Sequence, residues 1–384
     1  MVEFRPVLAD AGGMAGMAEV KLRWTGGRDS ARPAAAFRAG DWWDYKLTPP
    51  LAMLWATTLQ SGQPLLPSWL EAAALVAAIA ACAAYVSLVN DHFDRDEDAR
   101  SGKPNRLTRL SAAAVATLFA LVGGAGLLFL WLWSDVPGAA LAYLGSWIAF
   151  TLYSAPPARL KTRGLPGVLA DASGASLLPC LLAVLLAAHA VGRAADPAWL
   201  AAAAAWGLGW GLRGILWHQL ADLESDRLGN VHTFAARRGA ETARRVSLRL
   251  AWPLELVGLA ALLWQLGSPL PPLFLLLYIG VVAGRSRLWR ARPSRMLLLD
   301  EYYDALLPLA LVLASAATHK ADLLLLAPLL LLFGRRPARV AVDAWQLAST
   351  LWYRLRAFAG AYRQARWRAR ASSAKPVVRA SDPQ

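Results

Sequence analysis

Residues 85–106 read YVSLVNDHFDRDEDARSGKPNR, an apolar run that gives way to five acids, Asp91, Asp94, Asp96, Glu97 and Asp98, and then to Lys103 and Arg106. Like charges at this density repel, so such a cluster persists where a cation offsets the repulsion. Asn90, Asp94 and Asp98 are four residues apart and should share one side of a helix. A second cluster, HQLADLESDRLGNVHTFAARRG, closes another apolar run and sets Asp222 and Asp226 four apart, with His218, Gln219 and Glu224 close by. Carboxylate and amide oxygens are hard donors, and Mg2+ binds through a few carboxylates together with substrate phosphates. An isolated DxxxD would be read as solvated loop acids. Two such groups, each at the end of an apolar segment and each followed by bases, point to a shared site for a divalent cation and a phosphorylated ligand.

The elements that must position these acids are membrane helices. The 384-residue chain is 57% apolar and only 17% charged, whereas a soluble domain has about a quarter of its residues charged. Apolar runs long enough to cross a bilayer recur near 47–62, 68–90, 110–133, 138–154, 166–188, 198–221, 246–265, 269–284, 302–318 and 321–334. The net charge of +14 raises nucleic acid as a partner, but the bases sort by loop, which excludes that reading. SGQPLLPS, SDVPGA and LGSPLPP lack Lys and Arg, while Arg95 to Arg109, Arg159 to Arg163, Arg227 to Arg245 and Arg285 to Arg295 fall on the opposite face. By the positive-inside rule that face is cytoplasmic. It carries both acidic clusters and both basic termini of a multi-pass cell-membrane protein. Cys82 and Cys180 lie in apolar runs without metal spacing, which argues against a disulfide or zinc site.

Acids, bases and an apolar interior in one place suit the ionisation of a prenyl diphosphate: metal and Lys/Arg neutralise the leaving group, and the interior shields the carbocation from water. The motifs carry a resemblance to match. NDHFDRDEDARSGKPNR is similar to the first aspartate-rich motif of the UbiA superfamily of intramembrane prenyltransferases, and DLESDRLGNVHTFAARRG to the second. YSAPPARLKTRGLPG between them resembles a further segment of that family. The resemblance covers about residues 38 to 320. It implies an all-α integral membrane bundle of about nine helices, with the run at 321–334 as a tenth. It also implies Mg2+ bridging the clusters to a prenyl diphosphate, and transfer of the prenyl group to an acceptor in the membrane. Carried over by position, Asn90, Asp94 and Asp98 hold one metal and Asp222 and Asp226 the other. Lys161 contacts the diphosphate, Tyr153 lines the site, and Lys103, Arg106, Arg159 and His218 are further substrate contacts. The chain has GKPNRL where many members have Lys-x-x-Arg-Pro, which loosens the roles of Lys103 and Arg106. The acceptor stays open among an aromatic or quinone precursor and a lipid-like or sugar alcohol. A related terpene cyclase would use the same ionisation with no acceptor. A cation-coupled transporter would need Gly/Pro-broken helices in matching halves, which the sequence lacks.

The chain divides into a disordered N-terminus over 1–38, a membrane domain over 39–334 and a basic tail over 335–384. Ala348, Trp352, Leu355, Ala359 and Tyr362 of that tail recur at helical spacing among arginines, the pattern of an amphipathic helix in an anionic interface. Arg213, inside a membrane run, calls for a partner, for which Asp171 is the expectation. Asp300, Glu301 and Asp304 open a membrane helix, where acids complement the N-terminal dipole. Trp206, Trp210 and Trp217 sit at near-helical spacing and suit helix packing, or cation–π contact with a carbocation.

Overall fold

The computed structural model describes residues 36–288 and 294–373. The N-terminal stretch expected to be disordered falls almost wholly outside the described residues, as does part of the Arg285–Arg295 loop. All regular structure among the described residues is helical. Four helical runs, Leu66–Phe93, Ala112–Leu132, Leu165–Ala190 and Ala240–Leu266, are long and apolar enough to cross a membrane by length and composition.

The order of elements follows the apolar runs. Helix α1 spans Ala39–Gln60, α2 Trp69–Phe93, α4 Ala112–Leu132, α5 Pro137–Ser154 and α8 Pro197–Ala221, while short α3 (Arg95–Ser101) follows α2. Helices α6 (Leu165–Ala172) and α7 (Leu178–Ala190) are joined by a π turn at Ser173–Leu177. Helices α11 (Ala240–Val246) and α12 (Trp252–Leu266) are likewise joined at Ser247–Ala251, and a third π turn at Tyr302–Leu306 leads into α14 (Leu307–Ala316). Each π turn ends two residues before a proline, Pro179, Pro253 or Pro308. Proline removes a backbone donor and crowds the preceding turn, and a widened turn accommodates both effects. Short α9 (Leu223–Leu228) and α10 (Phe234–Arg238), then α13 (Leu270–Leu288), α15 (Leu326–Phe333) and α16 (Arg335–Ser373), complete the chain.

Helix α8 is the spine. Asp196 caps it, accepting from the N–H groups of Ala198 and Trp199 at 2.7 and 3.2 Å, with Pro197 at its first turn. Glycines then let backbones meet: a Cβ on Gly209 or Gly258 would collide with the backbone of Glu255 or Trp206, and one on Gly211 would lie 2.6 Å from the Ala172 carbonyl. Membrane helices associate through such close approaches because lipid supplies no hydrophobic drive between them. Trp206 and Trp210 are buried and stacked 5.8 Å apart, with Tyr303 edge-on to Trp206 at 5.2 Å. They are packing residues of the core. The outer face of α4, with Leu121, Leu127 and Trp131 exposed, suits contact with lipid.

Buried charges in this core are paired. Arg213 donates to Glu255 at 2.5 and 2.8 Å and to Asp300 at 2.7 Å, and Tyr303 adds its hydroxyl to Glu255 at 2.8 Å. The expected partner Asp171 is not used, because the glycine-mediated approach of α8 to α12 brings Glu255 to Arg213 instead. Asp300, Glu301 and Asp304 likewise do more than face a helix dipole: they meet Arg213, Arg285 and Arg336. At the opposite end of the bundle Asp322, fully buried, accepts from the N–H groups of Leu65 and Leu66 at 2.9 and 2.8 Å and from the Ser315 hydroxyl at 2.5 Å. The segment expected as a tenth crossing is a 3-10 stretch, Lys320–Leu325, followed by the eight residues of α15. It carries the chain from that clamp back to Arg336, which pairs with Asp44 at 3.4 Å.

Candidate functional site at the mouth of two broken helices

Both acidic motifs fold the same way. Helix α2 stops at Phe93; Asp94 (φ −101°, ψ 6°) closes it and starts α3. Helix α8 stops at Ala221; Asp222 (φ −93°, ψ 2°) closes it and starts α9. Bonds of helical spacing flank each break, from the N–H of Asp94 to Asn90 O at 2.9 Å and of Asp98 to Asp94 O at 2.8 Å, and likewise from Asp222 to His218 and Asp226 to Asp222 at 3.0 and 2.8 Å. In the first motif the Asp91 and Phe93 carbonyls between them accept from Asn105 and Arg159. The motif residues therefore do not lie along one straight helix, as their spacing suggested. Each motif bends at one aspartate, which turns a carboxylate-rich short helix across the end of a long apolar one. The crowding of acids after each apolar run favours the bend, since it spreads like charges away from the low-dielectric helix end.

The two bent ends meet. Lys103, from the first motif, reaches Asp222 of the second with Nζ 2.8 Å from Oδ2, and Arg100 donates to the Gly229 carbonyl at 3.1 Å. Gly229 lies against the Glu97 backbone: a Cβ there would sit 3.4 Å from the Glu97 carbonyl oxygen. The intervening segment closes the mouth from a third side. Lys161, only 6% exposed, bonds to Asp94 and to Glu97 Oε2 at 2.9 Å. Arg159 reaches Asp94 at 3.3 Å, Glu97 Oε1 at 2.8 Å and the Phe93 carbonyl at 3.0 Å.

The remaining candidates take different positions. Asn90 accepts from the Ser154 hydroxyl, which ties the first motif to α5. Asp98 accepts from Asn105 at 2.9 Å, and the same amide also donates to the Asp91 carbonyl at 2.6 Å. Asp226 accepts from Thr233 at 3.0 Å, and Thr233 in turn caps α10. His218 is exposed, with Nε2 3.8 Å from Asp222. Tyr153 is half-buried on α5, within electrostatic reach of Asp94, Asp222 and Asp226. Arg106 is not brought to the second motif; its guanidinium turns to Asp41 of α1 at 3.4 Å, while its backbone N–H meets Asp91.

Some contributors were not assigned roles from sequence. Glu97 orients both Lys161 and Arg159. Asn105 occupies the GKPNRL stretch that departs from the usual pattern, and it holds Asp98. Arg38 approaches Asp91 at 3.3 Å and so anchors the start of α1 to the mouth. Deeper in the bundle, Lys46 of α1 and Asp171 of α6 lie within reach of each other's charge, and Asp171 is also within electrostatic reach of Tyr45 and Tyr153. Only Lys46, a charge at the start of an apolar run, left a trace that sequence reading could have followed.

Charge at the mouth is close to balanced, but not fully. Burial pushes the Asp98 carboxyl above the ordinary carboxylate range, with Asp94 and Asp91 adding to the rise and the Asn105 bond opposing it. Burial raises Asp226 as well; Asp222 adds to this, while Thr233, Lys103 and His218 oppose it. These are two all-oxygen groups on facing helix ends that gain from a further cation. No group of three or more His, Cys, Asp or Glu among the described residues is gathered closely enough to hold a metal, and Lys103, Lys161 and Arg159 pair with Asp222, Asp94 and Glu97. In donor type, Asn90, Asp94, Asp98, Asp222 and Asp226 fit a hard divalent ion such as Mg2+.

The model of the UbiA prenyltransferase family matches residues 50–297 of the chain. The protein belongs to that family. The match contains both aspartate motifs, the Lys161 segment and α1 from Pro50 onward. No curated protein matches the chain. Solved structures similar to it include three of a UbiA homolog from Archaeoglobus fulgidus, each 16% identical. One is bound to GPP and Mg2+ (80% of this chain and 99% of that chain covered, TM-score 0.40), and another to DMAPP and Mg2+ (80% and 99%, TM-score 0.42). The third covers 83% of this chain and 100% of that one, with a TM-score of 0.44. In this UbiA family member the two acidic motifs are separated by more than a hundred residues of chain, and the Lys103–Asp222 bond joins them directly.

Proposed function

We propose that this UbiA family protein moves a prenyl group from a prenyl diphosphate to a hydrophobic acceptor and releases diphosphate. The observation that carries the reading is the junction of the two motifs through Lys103 and Asp222, 2.8 Å apart, beside Lys161 and Arg159. In this reading the bond between the allylic carbon and the diphosphate oxygen breaks, and its electron pair leaves with the diphosphate. The acceptor, an aromatic or quinone precursor or a lipid-like alcohol, forms the new bond and loses a proton. Asn90, Asp94 and Asp98 on one side and Asp222 and Asp226 on the other would hold Mg2+, which would supply Lewis-acid stabilisation of the leaving group.

The chain's own residues do the rest. Glu97 holds Lys161 and Arg159 at the mouth, so their charges are already positioned where the leaving diphosphate develops charge. Asn105 and Thr233 fix Asp98 and Asp226 in the same sense. The apolar cores of α2, α5 and α8 exclude water from the carbocation, and Tyr153 stands at the boundary between that interior and the acids. With the starts of α1 and of α16 both on the side of the mouth, the bundle crosses the bilayer an even number of times, ten with the run at 321–334. The mouth lies on the cytoplasmic leaflet, a sidedness supported by the sorting of Arg and Lys onto that face. Incubation of the purified protein with labelled prenyl diphosphates of several lengths, with and without Mg2+ and with acceptors of each class, tests the proposal. The expected result is Mg2+-dependent diphosphate release matched by a prenylated acceptor. A cyclic hydrocarbon formed without acceptor would replace transfer with cyclisation, and neither binding nor release at any length would overturn the reading.

A further inference from the structure

Helix α16 is two objects in sequence. Its first half is packed: Arg336 pairs with Asp304 and Asp44, Asp343 with Arg285, and Val340 and Leu347 are buried, Leu347 against Gly284 of α13. From residue 351 the helix continues as a free cylinder. Leu351, Leu355, Phe358 and Tyr362 are 46% to 72% exposed, yet their spacing of four, three and four residues, continued by Ala365, aligns them along one stripe. Residues 351–373 contain six arginines and no acid.

We infer that this free half of α16 is a docking surface for anionic phospholipid, lying in the headgroup layer of the leaflet that holds the acidic mouth. Three observations select the occupant. The helix starts directly after α15, whose Leu330, Leu331 and Leu332 are exposed as a lipid-facing surface would be, so it emerges at the membrane boundary. Its first residues touch Asp44 near the start of α1, and Arg38 at that start reaches Asp91, so it emerges on the side of the mouth. The charged residues around the stripe, Arg354, Arg356, Arg363 and Arg366, are all arginines, and Trp352 is exposed beside it, which is the composition of an interfacial helix. The same four–three spacing would suit pairing with a second copy, but coiled coils need opposite charges beside the seam. Two copies here would set arginine against arginine. Each base held near an anionic surface strengthens binding by a factor of about five.

The full-length protein, with Cys82→Ala and Cys180→Ala, would carry a nitroxide on Phe358→Cys or, on the polar side, Gln364→Cys. It would be reconstituted in phosphatidylcholine vesicles with or without phosphatidylglycerol. With phosphatidylglycerol, the label at 358 should become accessible to oxygen and shielded from a water-soluble nickel complex, while the label at 364 stays aqueous. R354Q/R356Q/R363Q/R366Q should abolish that response. On the unlabelled native chain, trypsin cleavage after Arg354 to Arg366 should slow at least about fivefold in the anionic vesicles. Aqueous labels at both positions with unchanged cleavage would overturn the proposal, as would spin–spin broadening at 358 in either lipid, which assigns the stripe to a second copy.

Discussion

Replacing Lys103 by Met separates two roles that the Lys103–Asp222 bond combines. The pair is 2.8 Å apart, with side chains 39% and 33% exposed, so water screens most of its attraction and the expected stability loss is about 0–1 kcal/mol. A charge-assisted bond from the same ammonium to a diphosphate oxygen is worth about 1.5–3 kcal/mol, a factor of roughly 10 to 100 in kcat/KM. The variant should therefore melt within a few degrees of the parent yet show a fall in kcat/KM for the prenyl diphosphate in that range. Asp222 would at the same time be released to a metal ion, so affinity for Mg2+ measured without diphosphate should hold or tighten. Calorimetric titration with Mg2+, thermal unfolding in one detergent and steady-state kinetics provide the three readouts. An unchanged kcat/KM would refute the placement of Lys103 on the substrate. Weaker Mg2+ binding would mean that Lys103 acts by positioning Asp222 rather than by meeting the diphosphate.

Asp94→Ala and Asp222→Ala should each remove turnover while gel filtration and helical content stay as in the parent; normal turnover in either would contradict the metal assignment. Arg213→Met strands Glu255 and Asp300 in the core without their cation, and loss of one partner of such a pair costs about 3–5 kcal/mol. A clear fall in melting temperature is expected, and an unshifted melt would show the network to be dispensable. The pH response follows from Asp98 and Asp226, whose carboxyls are both raised by burial. A group raised in the folded state adds stability below its unfolded pKa and loses it as pH climbs through the folded value. The metal-free protein should thus lose that contribution toward neutral pH, and Mg2+ should restore it. Stabilisation by Mg2+ should be larger at pH 7 than at pH 5, measured as the shift in melting temperature; equal shifts at both would remove these two acids from the metal site.

The parts of the site that sequence revealed are those whose chemistry is local. Asp94, Asp98, Asp222 and Asp226 show their spacing directly, and the apolar runs ahead of them show which end of a helix they occupy. The bends at Asp94 and Asp222 were hidden because a straight helix and one whose axis breaks at an aspartate leave the same residue spacing in the chain. Partners chosen by packing were hidden too. Arg213 selects Glu255 over Asp171 only because Gly209 and Gly258 let α8 and α12 touch. Likewise Glu97, one acid among five, becomes the anchor for Lys161 and Arg159 only once the 159–163 segment folds over the α2–α3 bend. The apolar run of the first helix was placed near 47–62, whereas α1 begins at Ala39, because Asp41, Asp44 and Lys46 interrupt the apolar pattern before it. Ion pairs of Asp41 with Arg38 and of Asp44 with Arg336 make the helical extension tolerable.

The mouth has a consistent electrostatic logic. Asp94, Glu97 and Asp222 each touch a lysine, and Asp94 and Glu97 also touch Arg159, so cations sit where a diphosphate would be placed before any substrate arrives. Substrate oxygens and acids must then compete for the same ammonium groups, and a metal ion resolves the competition by satisfying the acids that the lysines leave. Such a site would bind metal weakly alone and strongly together with the diphosphate. That cooperativity is reciprocal by thermodynamic necessity: an unreactive diphosphate analogue should tighten Mg2+ binding by the same factor by which Mg2+ tightens the analogue. Independent binding of the two would show that the lysines and the acids at this mouth serve separate ends.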